Sequence, residues 1–187
     1  MAPDALEGRF YPDTYTFAKG SSDLKVLERA QRAMDRQLSA QWKQRAGDLS
    51  ITQIEQARIL ASLIEKETGR ASDRAMISSV FHNRLRLGMP LQTDPTVIYG
   101  MGTSFDGNLR RRDLRSDHAW NTYTRNGLPP TPIAMPGKGS LIAAVNPARS
   151  QALYFVARGD GSSEFSDNLE QHNRAVDRYQ RSKRQAQ

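Results

Sequence analysis

Residues 51–70, ITQIEQARILASLIEKETGR, decide how the rest of the chain is read. Ile54, Ala57, Leu60, Ala61 and Ile64 recur at intervals of three and four, the spacing of one face of an α-helix. At about 100° per residue, with Leu60 at zero, these apolar positions centre at about +45°. Glu67 falls at about −20°, on the core side of the same wheel. Glu65, at about +140°, and Lys66, at about −120°, lie at or beyond the edge of the apolar arc. A helix is therefore expected from about Thr52 to Thr68, with Gly69 in the place of a left-handed cap. A carboxylate held against apolar surface loses hydration, which favours its protonated form near neutral pH and suits it to general acid work.

A second helix is expected downstream, from Asp73 behind a Ser72 cap to Gly88, with Met76, Ile77, Val80, Phe81 and Leu85 on its apolar stripe. The two helices form a hairpin. Upstream, Ser21 or Ser22 can cap a long helix carrying Leu24, Leu27, Met34, Leu38 and Trp42 to about Ala46, with Gly47 as its stop. The preceding RFYPDTYTF, residues 9–17, reads as extended chain bent at Pro12-Asp13. From Met89 to Gly139 the texture changes to many Gly, Pro, Asn and Thr residues, a long loop-rich segment of the kind that usually carries function. Within it Asp94 and Pro95 read as cap and first position of a short helical turn, TVIY. Then come a short helix over Ser140–Val145, a strand at 152–157, a Gly-containing turn and a second strand near 164–166. A final helix from Asn168 places Leu169, His172 or Asn173, Val176 and Tyr179 on one face, before a fraying RSKRQAQ end. The class is α+β: a helical hairpin carrying the glutamate, packed with a small β-sheet and a long loop-rich segment. No internal repeat is present, which excludes a solenoid.

The 187 residues suit one domain, and 27 Lys and Arg against 20 Asp and Glu give a net charge of +7, which favours an anionic partner. The absence of cysteine excludes disulfides, thiolate zinc sites, iron–sulfur clusters and cysteine nucleophiles. His82, His118 and His172 are isolated, and no pair has the spacing of a helical metal site. Neither a serine elbow nor an apolar run of about 20 residues is present. Nucleic acid is a poor fit, since no basic surface interleaved with aromatics and no recognition helix stands out. Arg110, Arg111, Arg112 and Arg115 form a basic cluster that reads as a solvated loop or as a binder of acidic groups. Gln92, Thr93, Asp94, Tyr99, Asn121, Thr122 and Tyr123 gather amides, hydroxyls and rings in two loop motifs, a mixture suited to a sugar polymer.

Several strings occur in one order: ASLIEKETG at 61–69, VFHNRLRLGMPLQTDPTVIYG at 80–100, NTY at 121–123, GLPPTPIA at 127–134 and PG at 136–137. Together with LEGRFYPDTY at 6–15, they resemble the catalytic region of the endolytic murein transglycosylases, the MltG/YceG-like family. The chain carries Thr131 and Met135 where relatives commonly show Gly and Asn. The resemblance implies a lytic transglycosylase in which one glutamate, here Glu67 followed by Thr68, acts alone as acid and then base, with no metal and no cofactor. Gln92, Thr93, Asp94, Asn121 and Tyr123 are the expected substrate-binding residues, Glu65 is the second candidate for the acid, and Glu7 is a further carboxylate near the cleft. The implied partners are peptidoglycan glycan strands and wall synthases, not nucleic acid. The implied setting is the periplasmic face of the bacterial inner membrane. On that expectation residues 1–187 are one catalytic domain of a longer protein whose membrane helix and LysM-like lobe lie outside this sequence. A non-catalytic peptidoglycan-binding or scaffolding module is the alternative.

Overall fold

The computed structural model describes residues 6–181. Helix α1 (Asp23–Lys43) buries Ala30, Met34 and Leu38 at intervals of four, and α2 (Ile54–Glu67) buries Ala57, Leu60, Ala61, Leu63 and Ile64. A short 3₁₀ turn over Ala71–Asp73 reverses the chain into α3 (Arg74–Arg86), completing the expected hairpin. The loop-rich segment contains α4 (Asp94–Met101) and α5 (Arg111–Arg115). It leads to α6 (Lys138–Val145), which inserts among α1, α2 and α3. Ala143 and Ala144 keep this helix thin enough to sit close to its neighbours, while Leu141 and Val145 fill the space between them.

Strands β1 (Tyr154–Ala157) and β2 (Ser163–Ser166) form an antiparallel hairpin in which Phe155 faces Phe165. Phe155 meets Phe81 of α3 edge-on at 6.3 Å, fixing the sheet to the helical hairpin. Helix α7 (Leu169–Val176) begins at Asn168, whose side chain accepts the Gln171 N–H, and packs on both strands. The observed class is thus α+β. No helix among the described residues is long and apolar enough to cross a membrane.

His82 joins three elements from inside the core. Its Nε2 lies 3.0 Å from the Ala144 carbonyl of α6, which can only accept, so Nε2 carries the hydrogen and Nδ1 accepts from the Ser50 amide at 3.2 Å and hydroxyl at 2.7 Å. Burial holds this imidazole below its ordinary pKa, as a neutral bolt requires.

Residues 9–17 are extended chain that crosses α1, with the Tyr11 amide donating to the Ala30 carbonyl and Arg29 to the Thr16 carbonyl. Two local expectations need correction. Gly69 has no positive φ, because α2 ends through an extended Thr68, whereas Gly88 after α3 is left-handed at φ 66°. Asp94 is the first residue of α4 rather than its cap; the cap position belongs to Thr93. Helix α5 was unexpected, because RRDLR has one apolar residue, Leu114, and no apolar stripe. Its turn is closed instead by Asp113, which accepts the Arg110 amide at 2.8 Å. The RSKRQAQ end lies largely outside the described residues.

Candidate active site

Glu67 is the last residue of α2. The helical period that buries Leu60, Leu63 and Ile64 carries it to the edge of the core, where the side chain is half-buried. Burial raises its pKa above the ordinary carboxylate range; a hydrogen bond from the Thr93 hydroxyl to Oε1 acts the other way, the charge of Asp94 raises it further, and the Arg84 guanidinium lowers it. The carbonyl end of α2 adds a negative partial charge that also disfavours the carboxylate. Among the described residues, no protein donor reaches Oε2.

Thr93 is held on every side. Its amide donates to Thr122 Oγ1 at 3.1 Å, and its carbonyl accepts from Thr96 Oγ1 at 2.7 Å. The Thr96 and Thr122 hydroxyl oxygens are 2.9 Å apart; since Thr96 spends its hydrogen on the Thr93 carbonyl, Thr122 donates to Thr96. All three threonines are buried, so the hydroxyl that meets Glu67 comes from a fixed frame.

Glu67 opens into a cavity of about 560 Å³ between the end of α2, the start of α4, the Tyr123 loop, β1 and α7. Gln92, Asp94 and Tyr123 line it with Glu67. Gln92 is held at φ 49°, a left-handed conformation unusual for a residue with a side chain, and its amide donates to the Thr122 carbonyl at 3.0 Å. That bend exposes Gln92 while turning its neighbour Thr93 inward. The Tyr123 hydroxyl donates to Asp94 Oδ1 at 2.5 Å, and burial together with Asp94 raises the phenol's pKa, so it remains a donor.

Two expected contacts are placed elsewhere. Asn121 is fully buried: its amide nitrogen donates toward the Asp113, Leu114 and Ser116 carbonyls, and its oxygen accepts the Tyr123 amide at 2.8 Å. With its polar atoms so engaged, it anchors the loop that carries Tyr123 and does not line the cavity. Thr93 faces Glu67 itself rather than the open space. Glu65, the second candidate acid, accepts from the Gly137 amide at 3.0 Å and the Ser140 hydroxyl at 2.6 Å, holding the start of α6. Glu7 does not line the cavity. Thr131 accepts the Trp120 indole N–H at 2.9 Å.

Sequence reasoning missed Arg84 and Tyr154. Arg84 is buried beneath the cavity, donating from Nε to the Leu153 carbonyl at 2.7 Å and from Nη1 to the Leu91 carbonyl at 2.7 Å. Its guanidinium lies 5.2 Å from the Tyr154 ring centre, and His172 stacks on that ring at 5.2 Å. The signal was available: position 84 continues the α3 stripe of Ile77, Val80 and Phe81, so a cation falls on the apolar side of a helix, as Glu67 does on α2. Another cavity, of about 490 Å³, lies against the other side of α3, but the carboxylate on its wall, Asp48, already faces Arg86 at 3.6 Å.

The fold is thus an α+β domain in which one half-buried carboxylate stands at an open cleft lined by amide, phenol and aromatic groups. The chain belongs to the YceG-like family, whose model matches residues 2–178. It is 39% identical over 180 residues to the endolytic murein transglycosylase of Bacillus subtilis and 30% identical over 184 residues to that of Streptococcus pneumoniae, covering 95% of this chain in each case. It spans 49% and 33% of those two relatives. A YceG-like protein of Listeria monocytogenes, known from its crystal structure, superposes with a TM-score of 0.78 at 38% identity, over 90% of this chain and 55% of that one.

Proposed function

We propose that this chain is the catalytic region of an endolytic peptidoglycan lytic transglycosylase. The reading is carried by the half-buried, pKa-raised Glu67, which lines the cleft with Oε1 held by Thr93 and no protein donor on Oε2 among the described residues. The names of the bacillary and pneumococcal relatives support it.

Glu67 starts protonated and gives its proton to the glycosidic oxygen between N-acetylmuramic acid and N-acetylglucosamine as the bond from that oxygen to the muramic C1 breaks. The carboxylate so formed accepts the proton of the 6-hydroxyl of the same muramic residue, and O6 closes on C1 to leave a 1,6-anhydro end. The proton lost in the first step is regained in the second, and no water is consumed. Ordinary glycosidases need a second carboxyl group as base or nucleophile. Here the substrate's own hydroxyl is the nucleophile, so one titrating group serves both steps. The charge of Asp94 raises the proton affinity of Glu67, which favours the protonated form that the first step needs. Gln92 and Tyr123 supply hydrogen bonds and a ring face to the sugars, and Arg84 fixes the cavity floor.

In this reading the longer protein carries an N-terminal membrane helix and a LysM-like lobe, holding the region at the periplasmic face of the inner membrane beside the wall synthases. The test is Glu67→Gln, which keeps shape and polarity but removes the titrating proton. Mass spectrometry of purified glycan strands shows anhydro ends with the parent chain and none with the variant. Intact strands that are retained equally by both proteins mean a binding module instead.

A further inference from the structure

An open pocket of about 450 Å³, lined by Arg111, Leu114, Arg115, Tyr123 and Thr124, shares Tyr123 with Glu67's cavity. Arg111 and Arg115 stand one turn apart on α5, both exposed, and neither has an ion-pair partner among the described residues. Their neighbours differ. Arg110 pairs with Asp106 at 2.6 Å, Arg112 with Asp113 at 3.6 Å and Arg125 with Asp117 at 2.8 Å. The segment therefore neutralises each nearby guanidinium except the two that face the pocket. Like charges at this spacing destabilise a helix by about 0.2–0.5 kcal/mol, and nothing within the pocket offsets that.

The pair is also held in place relative to the cleft. The Asn121 amide nitrogen donates to carbonyls of Asp113, Leu114 and Ser116, and its oxygen accepts the Tyr123 amide, so α5 and the shared tyrosine move as one piece. From this juxtaposition we propose that Arg111 and Arg115 form a carboxylate-binding extension of the cleft, which takes the free carboxylates of the peptide branches on the glycan strand. Guanidinium forks match carboxylates in two-point hydrogen bonds, and two forks a helical turn apart suit a branch that carries more than one carboxylate. A lipid surface fits less well: none of the large exposed apolar side chains, Phe17, Leu24, Leu27, Leu87, Ile142 and Leu169, belongs to this segment. The proposal rests on the peptidoglycan reading and adds to it what selects the strand.

The test measures dissociation constants in the Glu67→Gln background, where the polymer stays whole. The ligands are glycan strands with intact peptide branches and the same strands stripped by an amidase. The branched strands bind about tenfold tighter. Arg111→Gln with Arg115→Gln brings that ratio to about one, at an unchanged melting temperature, and the double lysine variant restores part of it. A ratio near one before any arginine is changed, or a ratio that survives the double variant, overturns the proposal and leaves the peptidoglycan reading standing. Failure to bind either polymer overturns both. Arginine-dependent capture by vesicles of phosphatidylcholine and phosphatidylglycerol in equal parts, with the ratio between strands unaltered, assigns the pair to a membrane and overturns it as well.

Discussion

Glu65 and Glu67 stand two residues apart on the last turn of α2, and the fold gives them opposite tasks. Both are half-buried. Glu65 turns toward α6, where one oxygen takes hydrogen bonds from a backbone amide and a hydroxyl. Glu67 turns toward the cleft, where a single hydroxyl holds Oε1 and Oε2 has no protein donor among the described residues. What separates the two is the supply of donors: two reach one oxygen of Glu65, whereas a single hydroxyl reaches Glu67, whose proton affinity rises through desolvation.

The largest effect comes from exchanging those tasks by substitution. Glu67→Gln lowers strand cleavage by about 10³-fold, the scale of losing a positioned acid and base. Glu65→Ala keeps the chemistry but leaves the Gly137 amide and the buried Ser140 hydroxyl without their partner, a loss of about 2 kcal/mol. In a chain of this size that is a fall of roughly 4–8 °C in melting temperature. Calorimetry and a strand-cleavage assay on both variants check the contrast. An inactive Glu65→Ala chain of unchanged stability would reverse the assignment.

The helical wheel made this difference partly legible. It put Glu67 on the core side and Glu65 at the edge, because the 3.6-residue period is a local property and survives folding. It said nothing of α6, whose N-terminus reaches Glu65 from some 70 residues away along the sequence. The same division holds elsewhere. The hairpin of α2 and α3, the short sheet and α7 follow from periodicity and turn residues, while α5 has no apolar pattern and rests on one aspartate. Gln92, Asp94 and Tyr123 were recognisable as cleft groups by their chemistry. Asn121 and Thr93 carry equally suitable chemistry but are consumed by partners inside the protein, Asn121 by carbonyls five to eight residues back in its own loop, Thr93 by side chains of distant segments. A side chain's donors can be read from its residue type, whereas its partners depend on tertiary structure.

Thr93 offers a finer cut at the same comparison, because it is the donor that Glu67 does have. Thr93→Val removes the hydroxyl with little change in size. Since that hydrogen bond stabilises the carboxylate, its loss raises the pKa of Glu67 further, and the alkaline limb of the pH–rate profile, where the acid loses its proton, moves to higher pH. Turnover falls about tenfold as the carboxyl loses its fixed orientation, with KM little changed. Thr93→Ser restores both the limb and the rate. A profile that stays in place while the rate falls would reduce Thr93 to a packing residue.

The smallest effect is thermodynamic and needs no substrate. Glu67 has a higher pKa in the folded chain than in the unfolded one, so the native state holds its proton more tightly. Its contribution to stability is fully present below the unfolded value of about 4.3 and is lost as pH rises through the folded value. Glutamine has no such titration. Melting temperatures of parent and Glu67→Gln chains therefore coincide near pH 4 and separate as pH rises, with the variant higher by a few degrees at most, until the gap levels off above the folded pKa. A gap of the opposite sign would mean that Thr93 and Arg84 together outweigh desolvation. The cleft would then hold an ionised carboxylate, ready to accept the 6-hydroxyl proton but without one to give to the glycosidic oxygen.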